Sequence, residues 1–171
     1  IQFRNGSLNY LITTDLGARG LDIPEMRYVI HYHLPAKEVD FTHRNGRTAR
    51  MQTTGTAYII TYIEDIMPDY IPQGLDIFKL KEGKPLPKRP EYQTIYISGG
   101  KKNKLNKGDI VGFFLQIGKL DKYDLGLIEV KDFISFAAVK TPMVKSLLNN
   151  IRDQKMKGKK YKIEVARGVI S

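Results

Sequence analysis

Apolar positions follow two different patterns along this 171-residue chain. In the first half they form short, nearly unbroken runs at residues 10–13, 28–34 and 57–62, rich in Ile, Val and Tyr. Runs without polar alternation suit strands covered on both faces, as in a parallel α/β sheet. Parallel neighbours need a long crossover. The stretch AKEVDFTHRNGRTARM between the second and third runs is long enough to supply one as a helix. Three strands are few for such a sheet, so this lobe reads as incomplete. The opening on Ile1 in mid-pattern reads as part of something longer.

The second half alternates between strand and helix patterns. Residues 92–98 predict a strand, followed by Gly99-Gly100 and the basic loop KKNK. Asn106 is placed to cap a helix, with Asp109 three residues on as its reciprocal partner and Gly118 as the stop. Ile110, Phe113, Phe114 and Ile117 recur at i, i+3, i+4 and i+7, the stripe of a helix with one buried face. Strands are expected at 126–130 and 135–139. Thr141-Pro142 then opens a second helix, with Val144, Leu147, Leu148 and Ile151 facing inward. Residues 161–166 close as a final strand. The order β-α-β-β-α-β predicts two helices on one face of a four-stranded antiparallel sheet, with the other face open.

Between the two halves lies KEGKPLPKRP, residues 81–90, in which three prolines, a glycine and four basic residues leave nothing to bury. The expected organisation is therefore an α/β lobe over residues 1–80, a basic linker at 81–90 and an α+β module at 91–168. Charge sharpens the division. Residues 1–90 carry 12 Lys+Arg against 10 Asp+Glu, or +2, whereas residues 91–171 carry 16 against 8, or +8, of the total of +10. A basic module of this size points to a polyanionic partner. With no cysteine, a disulfide scaffold, a thiolate zinc site and Cys nucleophilic chemistry are excluded, and the composition suits a reducing cytosol. No stretch approaches the roughly 20 apolar residues a membrane helix needs.

The densest chemistry is HRNGRTAR, residues 43–50. Arginines at 44, 47 and 50 around a glycine turn make a poor core, but guanidinium forks suit a phosphoryl group. Upstream, TTDLGARGLDIP (residues 13–24) follows a strand run, where α/β sheets place ligand contacts. His31 and His33 stand two apart in a strand run; two ligands without a third make no metal site. Asp65, Asp69 and Asp76 lack the spacing of a calcium loop. No metal site is expected.

TDLGARGLDIP resembles motif V, and HRNGRTAR motif VI, of the DEAD-box RNA helicases, in the right order and at the usual separation. His43 points to the DEAD-box group, since neighbouring superfamilies tend to begin motif VI with Gln. The resemblance implies that the lobe is a partial RecA-like one, the second of the helicase core. It also implies roles: Arg47 and Arg50 as arginine fingers on the γ-phosphate of ATP; Asp22 near the nucleotide ribose; Thr14 and Gly17 on the RNA backbone; Arg19 and His43 in lobe closure. Arg44 is expected to brace the loop. Asn45 and Ala49 depart from the family pattern, which usually has Ile or Val and Gly there; both are expected to alter packing more than chemistry. The 171 residues hold neither a GxxxxGK[ST] phosphate loop nor an Asp-Glu-Ala-Asp motif. The ATP phosphates and Mg²⁺ would thus be held by another lobe, and this stretch alone is expected to hydrolyse no ATP.

Residues 92–167 are similar to the RNA-binding domain of DbpA-type bacterial helicases, through IYISGGKKNKLNKGDIVG, LGLIEV and KGKKYKIEVA. That family folds like an RNA-recognition motif and is associated with 23S ribosomal RNA and large-subunit assembly. The residues themselves qualify the likeness. Tyr96 occupies the stacking position of the first strand and Phe136 an aromatic position of the third, but Ile134 and Asp132 stand where an aromatic and a base are usual. Lys101, Lys102 and Lys104, backed by Lys157, Lys159 and Lys160, are the expected substitute as phosphate contacts. The implied protein is a monomeric, cytoplasmic ATP-dependent RNA helicase anchored on structured ribosomal RNA. Alternatives are a general or cold-shock helicase with broad RNA choice, and a non-enzymatic RNA-binding protein with a vestigial RecA-like part.

Overall fold

Two units divide the chain: Ile12–Pro87, and Lys88–Ser171 together with Ile1–Leu11. The computed structural model describes residues 1–18, 26–48 and 55–166. In the first unit a one-turn helix α1 (Asp15–Ala18) precedes β1 (Tyr28–His31), α2 (Glu38–Asn45) and β2 (Thr56–Ile59). β1 and β2 pair in parallel, Tyr28 opposite Thr56 through His31 opposite Ile59, with α2 as the crossover. The expected third strand at residues 10–13 is not formed: Tyr10 is 67% and Ile12 98% exposed. A two-stranded ribbon gains little by adding a strand whose faces nothing covers. The fold class is therefore α/β here, with a sheet narrower than the apolar runs foretold.

The second unit contains β3 (Tyr92–Ile97), α3 (Lys107–Gln116), β4 (Leu125–Val130), β5 (Ser135–Lys140), α4 (Val144–Ile151) and β6 (Ile163–Val165). The sheet order is β4-β5-β3-β6, antiparallel throughout, so the expected β-α-β-β-α-β module is present. The start of α3 follows from side chains read in the sequence. Asn106 Oδ1 accepts from Asp109 N at 3.0 Å, and Asp109 Oδ2 accepts from Asn106 N at 2.9 Å. Ile110, Phe113 and Phe114 are buried, whereas Ile117 is 40% exposed because α3 ends at Gln116. A Cβ on Gly118 would lie 2.4 Å from Leu147 Cδ1, so this glycine lets the end of α3 meet α4. Val144, Leu147 and Ile151 of α4 join Ile95, Ile97 and Val139 in one core.

The sheet face away from the helices was expected to be open, and part of it is covered. Residues 1–8 form a turned segment, closed by Asn5 N–H to Ile1 O (2.9 Å) and Ser7 N–H to Gln2 O (2.9 Å). Asn5 is buried and donates through Nδ2 to Thr94 Oγ1 at 2.8 Å, while the Thr94 hydroxyl donates to Ser7 Oγ at 2.9 Å. Gln2 Nε2 donates to Ala166 O at 3.2 Å and Arg4 Nε to Glu129 Oε1 at 3.1 Å. Burial pushes the Glu129 carboxyl up, but Arg4 and then Lys131 outweigh it and hold the group below the usual carboxylate range. Ile1–Leu11, read from sequence as part of the lobe, thus lies across the module.

Candidate nucleic-acid interface

In the lobe, Arg44 is the arginine committed to its own surroundings. It grips Asp15 with two parallel bonds, Nε to Oδ1 at 2.6 Å and Nη2 to Oδ2 at 2.7 Å, and donates through Nη1 to His33 O at 2.8 Å. The hydrogen bond to Asp15 raises its affinity for its proton. This ties the helix that carries residues 43–45 to the start of α1, the bracing role expected of it.

Arg47 differs. It is half-buried, its backbone O accepts from Met26 N at 3.0 Å at the entrance to β1, and its guanidinium makes no hydrogen bond or ion pair among the described residues. His43 and Thr14 are exposed, and Gly17 lies in α1. Arg19, Asp22, Ala49 and Arg50 lie outside the described residues.

Asn45, read as a departure that changes packing, has a definite polar partner. His31 is 1% exposed and stacks on Phe41 at 4.7 Å. Its Nε2 donates to Asn45 Oδ1 at 2.8 Å, leaving Nδ1 as the acceptor that faces Arg44 Nη1 at 3.5 Å. Burial lowers the His31 pKa, the Asn45 bond opposing it. A polar residue on α2 is thus matched by one on β1, and the sequence signal was the His at 31, visible but read alone. His33 is exposed, and among the described residues no group of three or more His, Cys, Asp or Glu side chains could hold a metal ion.

In the module, strand register places Glu129, Phe136, Tyr96 and Glu164 side by side on the face away from the helices. The two aromatic rings are half-buried and meet edge to face, centroids 5.9 Å apart. A carboxylate stands at each end of this row. That is a poor entry for a polyanion, even though Glu129 is paired with Arg4 and Lys131 and Glu164 with Lys162.

The basic loop presents the opposite character. Lys101, Lys102 and Lys104 are exposed, and none forms an ion pair among the described residues. Gly99 and Gly100 serve a close approach: a Cβ on Gly100 would lie 2.2 Å from Lys131 O, and one on Gly99 2.4 Å from the Tyr161 ring. Lys101 N–H and Lys102 N–H donate to Lys131 O and Asp132 O, each at 2.8 Å, so the loop is fastened to the β4–β5 hairpin.

The second lysine group is split. Lys157-Gly158 is a tight turn with φ of 51° and 76°, bracketed by the Met156–Lys159 bridge. Lys157 Nζ is drawn back to Lys104 O (2.9 Å) and Asp109 Oδ2 (3.2 Å), and Lys160 to Asp153 at 2.9 Å. Lys159 remains exposed without an acid partner among the described residues. Sequence reasoning missed one candidate altogether, Phe133, 68% exposed at the tip of the β4–β5 hairpin beside the basic loop.

A parallel α/β lobe, in which Arg47 has no side-chain partner among the described residues, joined to a basic split-βαβ module fits one class, a helicase C-terminal domain fused to an RNA-binding domain. The two corresponding family models match, the helicase conserved C-terminal domain over residues 1–52 and the DbpA RNA binding domain over residues 94–165. In carrying both domains the chain is similar to the C-terminal part of the bacterial DbpA-type DEAD-box RNA helicases. It is 29% identical to the ATP-dependent RNA helicase DbpA of Bacillus subtilis, over 96% of this chain and 40% of that protein. It is 30% identical to the Escherichia coli DbpA, over 98% of this chain and 38% of that protein. A rice protein, DEAD-box ATP-dependent RNA helicase 53, is 53% identical over 34% of this chain and 10% of its own length. The chain thus spans about two-fifths of the length of its DbpA relatives, and of the helicase core it carries the C-terminal domain.

Proposed function

We propose that this chain acts within an ATP-dependent RNA helicase, its basic module anchoring the enzyme on structured RNA of the large ribosomal subunit, 23S rRNA, as a cytoplasmic monomer that serves subunit assembly. The observation that carries the reading is the pairing of two unsatisfied cationic features in one chain. Arg47 has no carboxylate within the described lobe, and Lys101, Lys102 and Lys104 have none within the module.

An unpaired guanidinium is the donor set that a γ-phosphate requires, so the lobe fits ATP chemically. Arg47 and Arg50 would stabilise charge on the transferred phosphoryl oxygens, an effect worth on the order of 10³–10⁵ in rate. Asp22 would sit by the ribose. Thr14 and Gly17 would meet the RNA backbone, and Arg19 and His43 would help the core close. ATP with Mg²⁺, held by a separate nucleotide-binding lobe, supplies the phosphoryl transfer that drives each cycle. In the module, Lys101, Lys102, Lys104 and Lys159 would meet phosphates, with Tyr96 and Phe136 as a flanking aromatic pair on an RNA-recognition-type sheet.

Crosslinking the chain to total cellular RNA and sequencing what is recovered tests the anchoring role. Enrichment of one segment of large-subunit RNA supports it; even recovery across cellular RNAs would favour a general helicase. In the protein joined to its nucleotide-binding lobe, Arg47→Ala should cut ATP turnover at least tens-fold, on the scale of a lost arginine finger, with RNA affinity nearly intact. An equal loss of RNA binding would contradict the assigned role.

A further inference from the structure

The β4–β5 hairpin turns on two residues, Asp132 and Phe133, closed by Lys131 N–H to Ile134 O at 2.9 Å. Its tip is held from the side: Lys131 O and Asp132 O both accept backbone N–H groups of the basic loop, at 2.8 Å each. The backbone under Phe133 is thereby fixed on both flanks, yet the ring itself is 68% exposed. A large aromatic side chain at a loop tip costs hydration and adds nothing to the core below it. Phe133 touches none of the rings that pair elsewhere in the module, where Tyr96 meets Phe136 and Phe113 meets Phe114.

The surroundings of the ring are cationic. Lys101 and Lys102 are exposed on the strand of backbone bonded to this hairpin, Lys104 follows, and Lys131 precedes the tip with its side chain 52% exposed. Asp132 is the one acid in the Lys131–Ile134 turn. Basic residues next to an exposed aromatic ring carried on a hydrogen-bonded backbone suit a nucleotide taken in two parts, phosphate by charge and base by stacking. The sheet row is less suited, because its aromatics face each other and carboxylates flank them.

We infer that Phe133 is a base-stacking residue, so that the loop–hairpin edge takes an unpaired base of RNA between phosphates held by Lys101, Lys102 and Lys104. This rests on the RNA-anchoring reading above and adds a substrate class: RNA with an unstacked base, as in a loop or bulge, in preference to a continuous duplex. A duplex keeps its bases stacked on one another and offers this ring nothing. The immobilised tip also limits the ordering lost on binding, which favours affinity at a single aromatic residue.

The test uses the 171-residue chain with two RNA probes of equal charge, a single-stranded oligomer and a blunt duplex, followed by anisotropy across a salt series. Phe133→Ala should weaken single-strand binding about tenfold, leave duplex binding unchanged and keep the salt slope. Phe133→Tyr should restore affinity, and 2-aminopurine placed in the single strand should be quenched by the wild-type chain and by Phe133→Tyr but not by Phe133→Ala. Exposure of the ring makes misfolding of these variants a non-issue, checked by circular dichroism. Wild-type affinity in Phe133→Ala, or equal loss on the duplex, overturns the inference. The underlying reading fails separately: replacing Lys101, Lys102 and Lys104 by Gln should weaken both probes and flatten the slope, by about 0.7 per lost contact on a single strand. An unchanged slope there would remove the loop as the RNA contact whatever Phe133 does.

Discussion

The two units of this chain draw on similar stocks of Ile, Leu, Tyr and Phe and put them to opposite use. Among the described residues, the buried hydrophobic side chains all belong to the module except Ile71. In the Ile12–Pro87 unit, Ile12, Ile63, Ile66, Ile77 and Leu80 are each more than 85% exposed. The module closes because four strands present one face to two helices, and each helix brings a buried apolar stripe. Among the described residues the lobe has two strands and one crossover helix, and a parallel sheet needs cover on both faces. What holds the described lobe is polar and aromatic instead: the Arg44–Asp15 pair, the His31–Asn45 bond, the Phe41 ring between His31 and Tyr70, and the Tyr70 hydroxyl on Pro35 O. Composition alone therefore says little about where a core forms. Topology decides it.

The sharpest way to break this contrast is truncation of a core ring. Phe114 is fully buried between the sheet and α4, and Phe114→Ala should cost the module about 3–5 kcal/mol, read as a lowered urea midpoint with loss of near-ultraviolet circular dichroism. Ile63→Ser, at a fully exposed position of the lobe, should move the midpoint by no more than about 0.5 kcal/mol. Comparable effects from the two would mean that the lobe buries Ile63 as the module buries Phe114.

Next in size is the polar core of the lobe. Asn45→Ala leaves the buried Nε2–H of His31 without its acceptor, and should destabilise the lobe by about 1–3 kcal/mol, seen as faster amide exchange in β1 and α2 with β3–β6 unaffected. Asn45→Val together with His31→Val should recover most of that loss, since both polar groups leave together. A double variant no better than the single one would show that the pair is not what the position needs.

The smallest expected effect separates the units by pH. All three histidines, His31, His33 and His43, lie in the lobe. Burial depresses the pKa of His31, so the unfolded chain takes up a proton below about 6.5 that the folded lobe refuses. Lobe stability is present above that pH and falls as the solution is acidified through the depressed folded value. The module has no histidine, so over the same range its stability should stay level. Its own acid sensitivity begins lower: Glu129 is held below its ordinary 4.5, and that contribution is lost as pH falls from there through the depressed value. Hydrogen exchange followed from pH 7.5 to 4 reads both. A module that loosened between pH 7 and 6 would contradict this assignment.

Local rules carried the reading of the module far. The capping pair Asn106 and Asp109, the stripe of α3 and the proline at the opening of the second helix act within a few residues, so they were legible as written and the elements formed within a residue or two of expectation. In the lobe, residues 28–31 and 56–59 formed the expected parallel pair around their crossover helix, while residues 10–13 had the apolar content of a strand but pair with none among the described residues. Arginine chemistry was visible from residue type and spacing. The carboxylate on which Arg44 would brace was not, because Asp15 lies 29 positions from Arg44.

By itself, then, the sequence determined the order of elements, the split between a weakly and a strongly basic half, and the residue types able to meet phosphate. Each depends on near neighbours or on composition. It took folding to lay Asn5 over Thr94, to turn Lys157 and Lys160 to acids while Lys101, Lys102 and Lys104 met none among the described residues, and to leave Phe133 exposed on a tip pinned beside that loop. Those outcomes depend on which segments distant in sequence are brought within hydrogen-bonding reach. Charge and hydrophobicity have no direction along a chain; they acquire one when folding chooses their neighbours.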